Sequence, residues 1–468
     1  MRPPITIQLT VPLAALLLGA VLATSASSQT RRDPARHDPA HGVQIPGADR
    51  IESVTLANGM TIIVWPDPDI PNVALYNWVR VGSRNEVPGI TGLAHFFEHM
   101  MFNGTATHPP GAFDAALEAN GARNNAFTSS DVTVYQDWFP RGALELVFEL
   151  EADRLRNLAF DPKVIESERG VVYSERRLSV DDSHFGRLME QVQATAFVAH
   201  PYGIPTIGWP SDIEAWQDVD LKNFFATYYA PNNCTLILAG DVEPKSVIAL
   251  ARKYFESIPR QQPAQAIRTA EPEQRGERRV VVEADAQTPL LQFAYHGISG
   301  SDPRLPALEL LVRILTDGDA SRLHRALVEE KKLAISADSH LEAGFDPGLL
   351  WLFLSLPSDG DLQGAENAFD AEIERIRNDG VSAEELTRAR NQALADFWRE
   401  LATIDGKAEA LGSYAVLKGG YHKLFDAPRA YQQVTPGDVK KLALEILRPS
   451  NRTVGVLAGA PADDKEAE

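Results

Sequence analysis

Three side chains able to bind a metal or move a proton lie within five residues of one another in Gly92-Leu-Ala-His95-Phe-Phe-Glu98-His99-Met-Met-Phe-Asn-Gly-Thr105. His95 and His99 are four apart, so on a helix both imidazoles stand on one face, one turn apart, within reach of a single cation. Neutral imidazole nitrogen is a preferred zinc ligand. Glu98 follows His95 by three residues and lies on nearly the same face. Its carboxylate would stand beside such a cation without needing to bind it, where a general base for a metal-activated water belongs. Leu93, Phe96, Phe97, Met100, Met101 and Phe102 make this helix apolar almost all round. Burying two histidines and a glutamate there is costly without a partner, and a metal supplies one. A hydrolytic zinc takes three protein ligands and keeps a position open, so a third ligand must come from elsewhere. The candidate segment is residues 165–176, behind the helix-start signal Asp161-Pro162. Glu168 and Glu175 are seven apart and share a face, whereas Glu166 lies off it. Spacing alone does not separate the ligand from a supporting carboxylate. The single cysteine, Cys234, excludes both an internal disulfide and a Cys-rich zinc site.

The elements that must position these groups follow from periodicity. Residues 54–64 read as strand, Asn58-Gly59 turn, strand, and residues 73–81 as a further strand. Helical spacing runs through 92–103, 113–120, 144–158 and 162–178, and residues 126–139 alternate as one strand. Residues 259–278, rich in Pro, Gln and charge, predict a linker. The two sides of that linker resemble each other. Trp216-Gln-Asp-Val219, then PNNCTLILAG at 231–240, is matched by Tyr431-Gln-Gln-Val434, then PSNRTVGVLAG at 449–459, about half the chain further on. This predicts an internal duplication and an α+β fold: two related halves, each a largely antiparallel sheet flanked by helices, joined by a linker.

Across 468 residues the composition is 44% hydrophobic and 23% charged, which is that of a folded chain; the net charge of −19 argues against a nucleic-acid partner. At the N-terminus an apolar run at 11–23 follows Arg2 and precedes Thr24-Ser25-Ala26. It is shorter than the roughly 20 residues of a membrane span, and it predicts a signal peptide cleaved near Ala26, with no membrane anchor and a periplasmic destination. The domain expectation is therefore a signal peptide at 1–26, a disordered polar segment at 27–46, a catalytic zinc-binding half at 47–258, the linker at 259–278, the second half at 279–461 and a polar tail at 462–468.

GLAHFFEHMMFNGT, NAFTSSDVTVY, ESERGVVYSE, HPYGIPTIG at 200–208 and YYAPNNCTLILAGDV at 228–242 together resemble the M16 family of zinc metallopeptidases. These are inverzincins, with HxxEH in place of HExxH, and they include insulin-degrading enzyme, pitrilysin and the mitochondrial processing peptidase. The length is similar to that of the short bacterial and mitochondrial-type subunits. The resemblance implies a zinc-dependent endopeptidase with one Zn2+ per chain. It implies His95 and His99 as ligands and Glu98 as the base. It places the third ligand about 76 residues after the second histidine, which is Glu175 here, and makes Glu168 the carboxylate that supports a ligand. It also implies peptide substrates held by strand addition at an exposed sheet edge, matched by Asn125, Ala126, Phe127 and Thr128. The second half departs from the pattern. Where active members carry an Arg and a Tyr seven apart, this chain has Val328 and Ile335, neither able to donate a hydrogen bond. Arg322 and Arg325 nearby read as helix-surface charges. The departure implies a related M16-type partner subunit, in a heterodimer, that supplies the missing pair. The competing reading is a non-catalytic assembly or peptide-binding subunit of the same fold. His200-Pro-Tyr202-Gly reads as a turn and Cys234 as an inert buried thiol.

Overall fold

A computed structural model of the chain describes residues 45–458 other than Ile70 and Asp285. The predicted signal peptide, the adjoining polar segment and the C-terminal tail lie outside the described residues.

The first sheet contains β1 (Glu52–Thr55), β2 (Thr61–Pro66), β3 (Asn72–Val79), β4 (Arg123–Thr128), β5 (Thr133–Pro140) and β6 (Cys234–Gly240). The second contains β7 (Arg278–Glu283), β8 (Leu290–His296), β9 (Ser336–Ala343), β10 (Pro347–Ser355) and β11 (Arg452–Ala458). Their orders are β1-β2-β6-β3-β5-β4 and β7-β11-β8-β10-β9. With β1 set aside, the sheets match strand for strand. One pair in each is parallel (β2 with β6, β7 with β11), and the other pairs are antiparallel. The fold is thus α+β in two related halves. The β1–β2 hairpin closes across Asn58-Gly59, with Gly59 at a left-handed φ of 93° that favours glycine.

The strand expected over 126–139 is two strands, β4 and β5, and this corrects the sequence reading. Ser129 breaks the run. Its hydroxyl accepts the backbone N–H groups of Asp131 (3.2 Å) and Val132 (3.1 Å), and its own N–H bonds the Val132 carbonyl. The chain therefore folds back.

In the first half the helix Leu93–Met100 lies between β3 and β4; at the same place in the second half, between β8 and β9, lies Leu305–Thr316. Seven of the twelve residues of the latter are buried, and its sequence LPALELLVRILT carries no histidine. That helix keeps the packing role without the histidine pair.

The halves also exchange helices. His184–Ala196 packs on β7, β8 and β11, burying Leu188, Val192 and Ala196 against Leu349, Trp351 and Leu457. Ile404–Val416 packs on β3 and β6, burying Ala408 and Leu411 against Ile63, Trp65, Trp78 and Ile237. The approaches are close: a Cβ at Gly412 would overlap the Trp78 ring, and one at Gly455 would overlap the Val192 side chain. Each fully buried aliphatic side chain contributes about 1.5–3 kcal/mol, so these exchanges hold the halves together more firmly than the linker does. The linker stretch has no helix or strand before β7 begins at Arg278, yet it is anchored. Glu271 accepts the N–H groups of Val198, Ala199 and His200, and Gln274 donates to the Arg452 carbonyl at 2.7 Å. No helix among the described residues is long and apolar enough to cross a membrane.

Candidate metal centre

All eight residues of Leu93–Met100 are buried. The first N–H groups of a helix lack intrahelical partners, and here the buried carboxylate of Glu86 accepts from Gly92 and Ala94, both at 2.7 Å. Asp212 secures the approach by accepting from Gly89, Thr91 N–H and the Thr91 hydroxyl. The second helix, Pro162–Arg176, starts where Asp161 accepts from Lys163 N–H at 2.8 Å and Pro162 occupies the first turn. It passes into a π-helical turn at Arg177–Asp181, which starts two residues after Glu175.

These helices bring together His95, His99 and Glu175, the one such group of three potential ligands among the described residues, with their ligand atoms within 4.8 Å of one another. His95 Nε2 and His99 Nε2 are 3.3 Å apart, and Glu175 oxygens lie 3.6 Å and 3.4 Å from them. Tetrahedral zinc with bonds of about 2.0–2.1 Å keeps its donors about 3.3–3.4 Å apart. The donor set and its spacing therefore fit zinc. His99 Nδ1 is 2.8 Å from Glu168 Oε1, which turns the Nε2 lone pair toward the centre, as a carboxylate behind a ligating histidine does. His95 Nδ1 is buried without a partner. Glu166 points away, mostly exposed and near Arg169.

Electrostatics reflect the crowding of two imidazoles and two carboxylates. Burial, with the neighbouring His99 charge, pushes His95 down to about 4. Burial also opposes the charge on His99, but its hydrogen bonds to Glu168 and Glu175 outweigh that and raise it to about 10. The proton held there and a divalent cation are alternatives for the same atoms. Glu98 lies beside the group, with Oε2 accepting the Thr128 hydroxyl at 2.6 Å. Burial raises its carboxyl above the ordinary range despite that bond.

Thr128 ends β4, which pairs on one side only, with β5. Asn125, Ala126, Phe127 and Thr128 therefore lie on an edge strand that reaches Glu98 itself. In the second half, Val328 packs partly buried and Ile335 is exposed. Arg322 is bound to Glu385 and the Gly380 carbonyl. Cys234 is buried, and burial pushes its thiol up to about 12. Sequence reasoning missed Glu86, which no local pattern links to the helix six residues on, and missed the hydroxyl of Thr128 as a partner of Glu98.

Residues 62–209 match the family model for insulinase (peptidase family M16), and residues 218–393 match that for the peptidase M16 inactive domain. The zinc protease PqqE of Helicobacter pylori is 30% identical over 412 residues, spanning 86% of this chain and 91% of that protein. The chain belongs to peptidase family M16. Among solved structures, a protease from Helicobacter pylori superposes on this M16 chain with a TM-score of 0.84 at 29% identity, covering 87% of this chain and 99% of that one. The periplasmic protease PqqL from Escherichia coli shares the fold with a TM-score of 0.74 at 22% identity, covering 91% of this chain and 49% of that one.

Proposed function

We propose that the chain is a zinc-dependent endopeptidase subunit that hydrolyses peptides or unfolded polypeptide segments. His95, His99 and Glu175 would hold one zinc, with Glu168 orienting His99. Zinc, when bound, supplies Lewis acidity toward a carbonyl and toward water. The rest falls to this chain's own groups. The Glu98 carboxylate takes a proton from the attacking water and passes it to the leaving amine. Thr128 aims that carboxylate through its hydroxyl. The backbone of residues 125–128 pairs with an extended peptide and brings its carbonyl to the centre. The apolar side chains around the Leu93–Met100 helix exclude bulk water. The observation that carries this reading is the 3.3–3.6 Å convergence of two Nε2 atoms and a carboxylate beside a buried glutamate that ligates nothing. A closed structural site has no use for such a spare carboxylate.

The test separates ligand from base. Glu98→Gln should keep one zinc per chain by elemental analysis and lower kcat by about two to four decades. Glu175→Gln should lose the zinc. Zinc lost in the first variant, with turnover retained in the second, would reverse the assignment.

We further read the 47–258 half as catalytic and the 279–461 half as its metal-free duplicate, joined by 259–278. The apolar Val328 and Ile335 support a reading in which this chain needs another to work. The partner would be a related subunit carrying the Arg and Tyr that Val328 and Ile335 replace. The N-terminal segment supports export to the periplasm, with the mature chain starting near Ser27. The second reading, a non-catalytic assembly or peptide-binding subunit, would be favoured by a Glu98→Gln chain indistinguishable from wild type.

A further inference from the structure

The motif His200-Pro-Tyr202-Gly203 forms a short turn, as expected, but its side chains bridge the two halves. The Tyr202 hydroxyl donates into the Asp131 carboxylate, 2.7 and 2.8 Å from its two oxygens, and accepts the N–H of Asp346 at 3.1 Å. Asp131 Oδ2 also accepts the N–H of Phe345 at 3.1 Å. Arg84 donates to Asp131 at 2.8 Å and to the Asp346 carboxylate, and its guanidinium lies 5.4 Å from the ring centres of both Tyr202 and Phe345. His200 Nε2 is 3.2 Å from Asp346, while its Nδ1 accepts the Tyr202 N–H. Arg84, Asp131, His200 and Tyr202 are all buried. The fit is tight, because a Cβ at Gly344 would overlap the Asp131 carboxylate.

On the first-half side this network acts on one place. Asp131 sits in the 129–132 turn that joins β4 to β5, and the same turn accepts the N–H groups of Ser83 and Arg84 through its Ser129 and Ser130 carbonyls. The residue entering the turn is Thr128, whose hydroxyl is on Glu98. A continuous run of bonds therefore leads from the second-half backbone at 345–346, through Asp131 and the turn, to the end of the edge strand. An edge strand has a partner on one side only and frays at its ends unless something holds it.

We propose that this buried clasp is a positioning device: the second half, through Gly344, Phe345 and Asp346, fixes the end of β4 and so the placing of Thr128 against Glu98. Arg84, Asp131 and Tyr202 are positioning residues, since they act through the strand and touch none of the candidate reacting groups. The proposal rests on the reading of β4 as the peptide edge and Glu98 as the base. It assigns the metal-free half a task in the chemistry beyond stability.

The experiment is hydrogen exchange followed by mass spectrometry on the full chain. It compares wild type with Tyr202→Phe, which removes a single hydroxyl, and with Asp346→Asn, whose side chain is partly exposed and whose backbone donors remain. Amides of residues 123–128 and 345–346 should exchange about five-fold faster or more, while those of Leu93–Met100 keep their protection. In a Glu98→Gln background, a fluorescein-labelled casein peptide should bind about ten-fold more weakly once Tyr202 is replaced. Faster exchange confined to 345–346, or faster exchange throughout the chain, would overturn the proposal whatever the peptide does. If 123–128 loosens as expected but the labelled peptide fails to bind even with the clasp intact, the clasp stands and the proposed function falls.

Discussion

Glu98 is buried beside the His95, His99 and Glu175 group and held by one hydroxyl, from Thr128 at 2.6 Å. Burial makes its carboxylate more basic, and the hydroxyl limits that effect while fixing where the carboxylate points. Thr128→Val keeps the β-branched shape and removes the donor. A hydrogen bond to a charged group is worth about 1.5–3 kcal/mol, so kcat should fall by about one to two decades, with zinc content unchanged. KM should move little, because the backbone that pairs with peptide remains. Steady-state kinetics alongside metal analysis checks this; a rise in KM at constant kcat would move Thr128 from the base to the substrate.

At the scale of elements, the exchanged helix Ile404–Val416 carries a group whose ionisation opposes folding. Burial, reinforced by the charge of Glu400, raises Glu409 from its ordinary value of 4.5 to about 7, and Tyr76 on β3 feels its charge in turn. Between those two values the folded chain retains a proton that the unfolded chain releases. Stability from this group is therefore greatest below pH 4.5, falls as pH rises toward 7 and is flat above. Glu409→Gln removes that dependence. Its melting temperature should exceed the wild type's at pH 8, by the equivalent of about 3 kcal/mol at most, and match it at pH 4. Equal melting temperatures at both values would show that solvent reaches the carboxylate. The matching strand orders of the two sheets also give the HxxEH helix a counterpart in the second half. Leu305–Thr316 occupies the place of the HxxEH helix, buries five leucines and carries no histidine, so the duplicate keeps its core without the histidine pair.

For the molecule as a whole, the second half offers no free donor at the positions expected to face the substrate. Val328 and Ile335 are apolar, and the nearby Arg322 is committed to Glu385. Two missing hydrogen bonds at about 1–3 kcal/mol each amount to roughly two to four decades in rate. The purified, zinc-loaded chain should therefore turn over unstructured peptides slowly. Adding a related subunit that lacks HxxEH but carries the Arg and Tyr should raise kcat/KM by about two decades or more and shift the chain to a one-to-one complex in size-exclusion chromatography. Full turnover by the lone chain, unchanged by the partner, would defeat the expectation.

His95, Glu98 and His99 were legible because one helix sets their relation, and helical spacing is a local property. The duplication and the α+β class were legible for a similar reason: repeated segments and alternation survive without knowledge of contacts. Glu175 is a different case. Its helix and the face it shares with Glu168 could be read, but only the family resemblance separated ligand from supporting carboxylate, since spacing along one helix says nothing about a second helix. The break between β4 and β5 was missed because a serine that folds a strand back on itself looks, in an alternating run, like any other polar residue. The tertiary structure alone decided the rest. Glu86 reaches the first turn of the HxxEH helix, Thr128 meets Glu98, and Asp131 meets Tyr202 and the 344–346 turn. Those partners lie 6 to 214 residues apart in the chain, where no periodicity operates. They meet because two buried sheets and two exchanged helices leave them no other place to satisfy their hydrogen bonds.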